Sequence, residues 1–343
     1  MRGGKIAAVI VAISVIGVAG YLGLHYISGS STTPLIVYSA DAYVQETNYL
    51  LGGFHNTSGA GTVSAKGGGS YTDAREIGQG DPANAFVSVA LESYNQSYLG
   101  SRYTGWTVAF ASDQLVLAYS NASKTAQVNA IVKDFSVALS SNSPQEFASA
   151  YSNLTSGQVK VGISDPSSDP AGLRGWISLE IAGKLYAAGN QSYYVNNLVE
   201  NHGLTNGSSA AQLISPLVTG QIQFLFIYKS AAISKGIGYI SLPDQANFGD
   251  PNMTTFYSNF TYNTASGLAH GSIIFLYVST LSNNGALSGT SLDFVTYTLN
   301  HSEDMASFGL QPLNKPILFN NTSPPSVIQE MVNSGKVVAG GRF

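Results

Sequence analysis

Residues 161–175 read VGISDPSSDPAGLRG, and they decide the fold because they join an apolar strand to a helix through a loop of turn-forming residues. Asp169 precedes Pro170, and Asp favours the N-cap of a helix while Pro favours its first position. We therefore predict a strand over residues 158–163 and a helix over residues 170–188. The free N–H groups of Ala171 and Gly172 at this helix start can hold an anion. The simpler alternative is that Asp169 only caps the helix.

Strands and helices alternate on both sides of this junction. Upstream we predict strands over residues 35–39, 62–65 and 85–90, with helices over residues 42–51 and after Ser70. Downstream we predict helices near residues 127–137, 144–151, 193–202, 292–299 and 326–332, and strands over residues 222–228, 256–262 and 272–278. This alternation is typical of parallel α/β sheets.

The long apolar run WTVAFASDQLVLAYS over residues 106–120 is interpreted as a strand that crosses between two lobes. A second crossing is expected near residues 239–242. The predicted fold class is therefore α/β with two lobes, in which residues 35–112 and 242–343 form lobe 1 and residues 113–241 form lobe 2. Two crossings leave a cleft between the lobes, and such clefts bind small ligands.

The N-terminal segment is apolar. Residues 6–24 carry no charge, and Arg2 and Lys5 precede them, which predicts one transmembrane helix with its N-terminus inside and the rest outside. The alternative is a cleaved signal peptide. We assign residues 1–27 to this anchor or signal segment and residues 28–34 to a flexible linker.

The composition excludes several classes of function. Only 10% of the 343 residues are charged and the net charge is −4, so nucleic acid is an unsuitable partner. The chain has no Cys, hence no disulfide framework. Its five His have no metal-ligand spacing, and no nucleophile elbow or phosphate loop is present. We therefore expect neither a metal, nor a cofactor, nor an enzyme.

Eleven Asn-X-Ser/Thr sequons are spread along the expected extracellular part, and sugars attached there could supply the solubility that charge usually supplies. We expect N-linked glycans as partners and hypothesise an acidic exterior. The sequons lie at Asn56, Asn95, Asn121, Asn153, Asn190, Asn206, Asn252, Asn259, Asn300, Asn320 and Asn321.

A glycine loop gives a second candidate for anion binding. Gly67, Gly68 and Gly69 follow a predicted strand, and Ser70 precedes a helix with Asp73 three residues on, so Ser70 is a candidate N-cap. Glycines allow close approach of a ligand to the backbone, and the Ser hydroxyl can join the helix N–H groups in holding an oxyanion. An ordinary turn is the alternative.

Three segments carry a resemblance to a known family. WTVAFASDQLVLAYS, GISDPSSDPAGLRG over residues 162–175 and GQIQFLFIYKS over residues 220–230 occur in that order, with FGLQPLNKP over residues 308–316 as a weaker match. The chain resembles the substrate-binding proteins of archaeal tungstate/molybdate ABC transporters, of which it looks like a divergent member. The resemblance implies a two-lobed type II periplasmic-binding-protein fold that holds an oxyanion between the lobes.

The resemblance also implies site residues. The Ser hydroxyl, Asp and Tyr that hold the oxyanion in that family correspond to Ser70, Asp169 and Tyr228, with backbone N–H groups at Gly69 and Ala171. The family pattern His-Ala-Gly-Ser after the first strand is replaced by Ser-Ala-Asp-Ala, which places Asp41 at the site. The family's coordinating Glu falls near Ala210, and its Ala-Asp-Tyr after the third strand is Ala-Leu-Glu over residues 90–92.

The expected function is that of a membrane-anchored, glycosylated solute-binding protein of an ABC importer on the extracellular face of the cell, which delivers an oxyanion to a permease. Asp41 would repel an anion unless its carboxyl is protonated. Two alternatives remain: a surface interaction protein that reuses this fold, and an enzyme on the same scaffold.

Overall fold

The computed structural model describes residues 34–123, 125–264 and 267–343. The membrane segment expected over residues 1–27 and the linker up to residue 33 lie outside them. No helix within these ranges combines the length and the apolar character that crossing a bilayer requires.

The described residues contain strands that belong to two larger sheets and one hairpin. In chain order they are β1 (Leu35–Ala40), β2 (Val63–Gly68), β3 (Ala85–Ser88), β4 (Trp106–Ser112), β5 (Leu115–Tyr119), β6 (Val161–Ser164), β7 (Leu204–Gly207), β8 (Phe224–Tyr228), β9 (Gly238–Ser241), β10 (Thr261–Thr264), β11 (Gly267–His270), β12 (Phe275–Thr280), β13 (Gln311–Asn320) and β14 (Val338–Gly341).

The α-helices of the same ranges cover these sheets. In chain order they are α1 (Val44–Ser58), α2 (Ser70–Gly78), α3 (Gln96–Leu99), α4 (Ala126–Ser141), α5 (Pro144–Leu154), α6 (Pro170–Tyr186), α7 (Tyr193–Glu200), α8 (Ala210–Val218), α9 (Lys229–Ser234), α10 (Asp244–Asn247), α11 (Thr254–Ser258), α12 (Gly289–Asn300) and α13 (Ser326–Asn333). Short 3₁₀ turns at Asp41–Tyr43, Leu91–Tyr94, Gly100–Arg102, Pro251–Met253 and Ser302–Phe308 complete the regular structure.

Each lobe is built on one sheet, and the two sheets share one topology. The first has the order β14-β13-β4-β12-β3-β1-β2, and the second has the order β7-β6-β8-β5-β9. In the first, β1 pairs in parallel with β2 and β3, and β12 runs antiparallel between β3 and β4. In the second, β6 pairs in parallel with β7 and β8, and β5 runs antiparallel between β8 and β9. The structure is therefore a mixed α/β fold with two lobes.

The strands of the parallel pairs are apolar because they are covered on both faces. All four residues of β3 and all five of β8 are buried, and both strands have continuous hydrophobic sequences. Helices pack on each sheet, and loops that carry polar residues follow the carboxyl ends of β1, β2, β3, β6, β7 and β8. Ligands of open α/β sheets bind at these ends.

The apolar run over residues 106–120 crosses between the lobes, but our prediction of a single strand is wrong. Strand β4 belongs to the first sheet and β5 to the second, with Asp113 and Gln114 between them. The buried Asp113 carboxyl accepts hydrogen bonds from the Gln114 amide (2.7 Å), the Tyr43 hydroxyl (3.0 Å) and the Ser230 hydroxyl (2.5 Å). A buried carboxylate needs such donors. The hydrogen bonds to Asp113 hold the chain at the point where it leaves the first sheet.

The strand predicted over residues 256–262 is also wrong. The segment forms α11, and β10 begins only at Thr261. Phe256 packs at a tilt against Phe260, with ring centroids 5.3 Å apart, and Tyr257 packs on Phe248 at 4.9 Å. Tertiary packing of these rings therefore overrides the β propensity of this segment.

Candidate functional site

Asp169 stands at the start of α6, as predicted, and its carboxyl serves two helices. Its Oδ1 accepts the N–H of Ala171 at 3.0 Å, and its Oδ2 accepts the N–H of Ala210 at 2.6 Å. Ala210 is the first residue of α8, so one side chain caps the N-termini of two helices in the same lobe. The N–H of Ala171, which we expected to face a ligand, is thus occupied by the protein itself.

Asp169 is only 3% exposed. Burial, to which the neighbouring Asp41 carboxyl adds, raises the pKa of Asp169 to about 7, while its backbone hydrogen bonds oppose the rise. The carboxyl is therefore neutral for much of the acid range, and its charge appears only near neutral pH.

The glycine loop forms a contact between the lobes. Gly69, not Ser70, is the N-cap of α2, so the capping predicted for Ser70 does not occur. A Cβ built on Gly69 would lie 2.5 Å from the Ser168 carbonyl oxygen of the other lobe. The buried Ser70 hydroxyl accepts the N–H of Val89 at 3.3 Å. The loop therefore lies where predicted, but it contacts protein.

Tyr228 lies at the carboxyl end of β8, buried at 1% exposure. Its hydroxyl accepts a hydrogen bond of 2.8 Å from Nη1 of Arg174. Its ring stacks on Tyr43 of the other lobe, with centroids 5.4 Å apart. Tyr228 thus contributes to the interface between the lobes through both its hydroxyl and its ring.

Arg174 is a site residue that our sequence analysis missed. It is 2% exposed and lies in α6, from where its Nη2 donates to the carbonyl oxygens of Val89 (3.0 Å) and Ile273 (3.2 Å). Its Nε and Nη2 donate to the carbonyl (3.3 Å) and hydroxyl (3.2 Å) of Ser272. These acceptors lie in the lobe opposite α6. A single Arg among the apolar residues at the start of α6 was the available signal.

No carboxylate in the described part of the chain forms an ion pair with Arg174. Within the described ranges the ion pairs join Lys66 to Glu76 and Asp81, away from Arg174. The hydrogen bonds of this buried guanidinium go to neutral oxygens, and the Glu92 carboxylate acts on it only as a more distant charge, so a positive charge lies at the interface between the lobes. Such a centre favours an anion nearby.

Asp41 and Asp73 add carboxyl groups to the same region. Asp41 follows β1, and its buried Oδ2 has no hydrogen-bond partner among the residues that the structure describes. Burial raises the pKa of Asp41, and the Ser209 hydroxyl with the N–H groups of Ala42 and Ala211 opposes the rise.

Asp73 is 1% exposed, and its Oδ2 also lacks a hydrogen-bond partner within the described ranges. Burial, with the Glu76 and Asp41 carboxyls adding, raises the pKa of Asp73 to about 8. The region thus holds three carboxyl groups, of Asp41, Asp73 and Asp169, whose pKa values burial raises. No three His, Cys, Asp or Glu side chains in the described part of the chain are placed to hold a metal ion.

A groove of about 740 Å³ opens beside this cluster. Asp41 and Val44 line it from one lobe, and Ala211, Ile214 and Lys235 line it from the other. Of the predicted ligand-binding residues, Asp41 lines the groove. The remaining five lie buried behind it, namely Gly69, Ser70, Asp169, Ala171 and Tyr228.

The sequon asparagines all have accessible surface. Eight are exposed: Asn56, Asn121, Asn190, Asn206, Asn252, Asn259, Asn300 and Asn321. Three are half-buried: Asn95, Asn153 and Asn320. The side-chain N–H of Asn153 donates to Asp134 at 2.8 Å, and that of Asn320 donates to the Thr322 carbonyl at 2.8 Å. These two amides are the less accessible for modification.

Comparison with known proteins identifies relatives over most of the chain. The family model for bacterial extracellular solute-binding proteins matches residues 24–297. An uncharacterized solute-binding protein of Sulfurisphaera tokodaii is 35% identical over 92% of this chain and 85% of its own length. The molybdate/tungstate-binding protein of Pyrococcus abyssi is 24% identical over 76% of this chain and 78% of its own length.

A solved structure shares the fold. The periplasmic molybdate-binding protein of Azotobacter vinelandii superposes with a TM-score of 0.56 at 17% identity, over 80% of this chain and 98% of that protein. At this identity the likeness concerns the fold alone, and it agrees with the two-lobed architecture described above.

Proposed function

Because the chain belongs to the bacterial extracellular solute-binding protein family, we propose that it captures an oxyanion between its two lobes and delivers it to an ABC importer. The family and the fold are those of binding proteins, not of enzymes, and they imply a solute and a permease as partners. The identity of the solute as an oxyanion is a more specific claim than solute binding itself. A relative named for molybdate and tungstate supports it.

The observation that carries the proposal is the buried guanidinium of Arg174. It lies between the lobes without a carboxylate partner in the described ranges, and it bonds to Val89, whose N–H bonds to Ser70. The helices α2, α6 and α8 begin near the interface between the lobes, and their N-termini add positive potential there. The shared topology of the two sheets supports the type II arrangement with two crossings.

Three carboxyl groups oppose anion binding when they are ionised. Burial raises the pKa of Asp73 to about 8 and that of Asp169 to about 7, and it also raises the pKa of Asp41. As pH falls, protonation of these groups removes negative charge, so the charge of Arg174 is opposed less strongly. We therefore place the working range of the site at acid pH.

The test is calorimetric titration of the full chain in detergent with molybdate, tungstate, sulfate and phosphate at pH 5 and pH 7.5. We expect saturable binding of at least one oxyanion, stronger at pH 5. A ligand at about 100 times its dissociation constant also stabilises the folded state by about 2.7 kcal/mol, which a thermal scan detects. Absence of binding to folded protein at both pH values would reject the proposal.

A second function remains a candidate on a specific observation. Both oxygens of Asp169 accept protein N–H groups, and the hydroxyls of Ser70 and Tyr228 also have protein partners. A site whose polar groups are already hydrogen-bonded to the protein is consistent with a surface interaction protein that reuses the fold of a transport protein. That role predicts no oxyanion binding and no change in shape with any of the four anions.

We also propose that residues 1–27 anchor the chain and that exposed sequons carry N-linked glycans. The charges of Arg2 and Lys5 support an N-terminus inside the cell. Mass spectrometry of tryptic peptides from the native membrane fraction tests both. We expect an intact N-terminal peptide and a mass increment at Asn56 or Asn190, whereas a mature N-terminus near residue 20 and unmodified sequons would overturn them.

A further inference from the structure

The side chain of Asp41 lies at the boundary between the lobes. It follows β1 in one lobe and lines the groove together with Ala211 at the start of α8 in the other. The Ser209 hydroxyl and the Ala211 N–H are its neighbours across that boundary. Its Oδ2 is nevertheless buried without a hydrogen-bond partner. An anion that enters this boundary meets the Asp41 carboxyl.

Asp73 is a second buried carboxyl near Asp41 that lacks a hydrogen-bond donor within the described ranges. Its side chain is 1% exposed, its Oδ2 has no partner, and Gly68 packs directly against its carboxyl. Asp41 contributes to the raised pKa of Asp73, which places the two carboxyls near each other. Ionised carboxylates only accept hydrogen bonds, so this region has acceptors in excess.

The ionisable groups near Asp41 come from three elements. They are Asp73 on α2, Asp169 at the start of α6, and Lys235, which follows α9 and lines the groove. Lys66 on β2 is bound to Glu76 and Asp81 instead. Since carboxyls outnumber cations, a bare dianion and an ionised Asp41 repel each other.

A proton between the Asp41 carboxyl and the bound oxyanion removes the repulsion between these two groups. A protonated carboxyl has an O–H donor, and an oxyanion oxygen is an acceptor for it. The same hydrogen bond forms when the oxyanion carries the proton and the carboxylate accepts it. Phosphate retains a proton at neutral pH, whereas sulfate and molybdate do not.

We propose that Asp41 determines the specificity of the site by binding an oxyanion only together with one proton, which lies between the Asp41 carboxyl and an oxygen of the anion. This inference rests on the proposed function. For sulfate or molybdate the proton moves from solvent to Asp41 before or during binding. For hydrogen phosphate the ligand brings the proton, and none is taken from solvent. Protonated oxyanions are thus the preferred ligand class at neutral pH.

The experiment is calorimetric titration of the full chain with molybdate and with phosphate at pH 7.0, each in two buffers of different ionisation enthalpy. The difference in heat gives the protons taken up per anion bound. When the titration is repeated at pH 8.5, we expect proton uptake with molybdate to rise toward one proton because Asp41 becomes ionised, and uptake with phosphate to stay lower. Molybdate affinity falls about tenfold per pH unit above the pKa of Asp41, and phosphate affinity falls less steeply.

Asp41→Asn is the decisive variant, because the amide donates an N–H without titrating. We expect it to bind molybdate at pH 7.0 at least tenfold more tightly than the unmodified chain, without proton uptake. Asp41→Ser, which replaces the carboxyl with a neutral hydroxyl donor on a smaller side chain, should give the same result. Asp165→Asn is the matched control, since it removes an exposed carboxyl from the loop that leads to Asp169. It should keep the proton uptake.

The outcomes separate the inference from the proposed function. Proton uptake that persists in both Asp41 variants overturns the inference, because the proton then binds elsewhere. Molybdate binding without any proton uptake at either pH in the unmodified chain overturns it as well and leaves the proposed function intact. No binding by the unmodified chain or the folded variants at pH 5 contradicts the proposed function and the inference together.

Discussion

The Asp169 carboxylate accepts the backbone N–H of Ala210 at 2.6 Å, although the two residues are 41 positions apart in the chain. The same carboxyl also holds the N–H of Ala171 at 3.0 Å. One acid therefore joins the N-termini of α6 and α8, which belong to the strand-to-helix loops after β6 and β7. The loops of this lobe that face the cleft depend on it for their relative position.

The first prediction concerns Asp169→Ala. Loss of two helix caps leaves two buried N–H groups without an acceptor, so we expect the free energy of unfolding to fall by about 2–3 kcal/mol. Asp169→Asn keeps one acceptor oxygen and should lose about half as much. Urea unfolding at pH 5 measures both. Asp165→Asn, an exposed change in the same loop, should stay within about 0.5 kcal/mol; an equal loss there would contradict the capping argument.

The second prediction concerns Arg174→Met. The substitution leaves the carbonyl oxygens of Val89 and Ile273 without their donor, and we expect a loss of about 2–4 kcal/mol in the free energy of unfolding. Arg174→Lys keeps the charge but not the planar set of donors, so it should recover only part of the loss. Small-angle scattering should show a larger radius of gyration in both variants, because the bonds of Arg174 join the lobes.

Arg75→Met is the matched control for that change. Arg75 is half-buried and contacts the Ser167 carbonyl oxygen only at 3.5 Å. Long contacts of this kind contribute little, so we expect a change below about 0.5 kcal/mol. If both arginine variants expanded the particle equally, the bridging role of Arg174 would be refuted.

The third prediction is a stability that decreases as pH rises. Burial raises the pKa of Asp73 to about 8, those of Glu46 and Asp169 to about 7 and that of Asp113 to about 6. An unfolded Asp or Glu ionises near pH 4, so between about pH 4 and pH 8 the folded state binds more protons than the unfolded state. The stabilisation that these protonated carboxyls provide is therefore fully present below about pH 4, and it is lost as pH rises toward their folded-state pKa values.

The slope is about 1.4 kcal/mol per pH unit for each proton that only the folded state holds. Urea unfolding at half-unit steps from pH 4.5 to 8 measures it. Glu46→Gln should reduce the slope by up to one proton, because Glu46 is 1% exposed and neither carboxyl oxygen has a partner. A flat or rising profile would show that these carboxyls ionise normally.

The fourth prediction concerns Gly69→Ala. The backbone angles of Gly69, φ −65° and ψ 133°, suit any residue, so the substitution adds no backbone strain. The added methyl group would instead lie 2.5 Å from the Ser168 carbonyl oxygen and hold the lobes apart. We expect a larger radius of gyration and weaker oxyanion binding with little loss of stability within each lobe.

Gly52→Ala provides the control for that variant. A Cβ at Gly52 meets nothing within 4 Å, and the residue lies inside α1, where Ala stabilises a helix by about 0.5–1 kcal/mol relative to Gly. We expect an unchanged radius of gyration. If Gly69→Ala behaved in the same way, the loop would not form a tight contact in solution.

The sequence predicted the elements whose signals are local. Asp169 followed by Pro170 marked the start of α6, and the apolar sequences of β3 and β8 marked buried strands. The strand predicted for the segment containing Phe256 and Phe260 was wrong, because aromatic packing and not local β propensity decides the structure of this segment. The change of lobe at residue 113 was predicted, but the end of one strand and the start of another there were not, since the donors to Asp113, Tyr43 and Ser230, are distant in the chain.

The candidate site divides in the same way. Ser70, Asp169 and Tyr228 do lie at the interface between the lobes, but their partners could not be predicted, because hydrogen bonds between distant segments depend on how the lobes pack. Arg174 was overlooked for that reason: its charge is exceptional only once the residue is seen to be buried without a carboxylate partner. The raised pKa values likewise follow from burial, which sequence patterns do not measure.

By itself, the sequence determined the alternation of strands and helices, the helix start at Asp169 and the low charge of the surface, because propensity, capping and composition act over short stretches of chain. The tertiary structure alone decided that Asp169 caps two helices, that Arg174 joins the lobes and that Asp41 lies beside a groove with an unpartnered oxygen. Hydrogen bonding, burial and charge repulsion in a closed interface depend on distances between residues that are far apart in the chain, and only folding sets those distances.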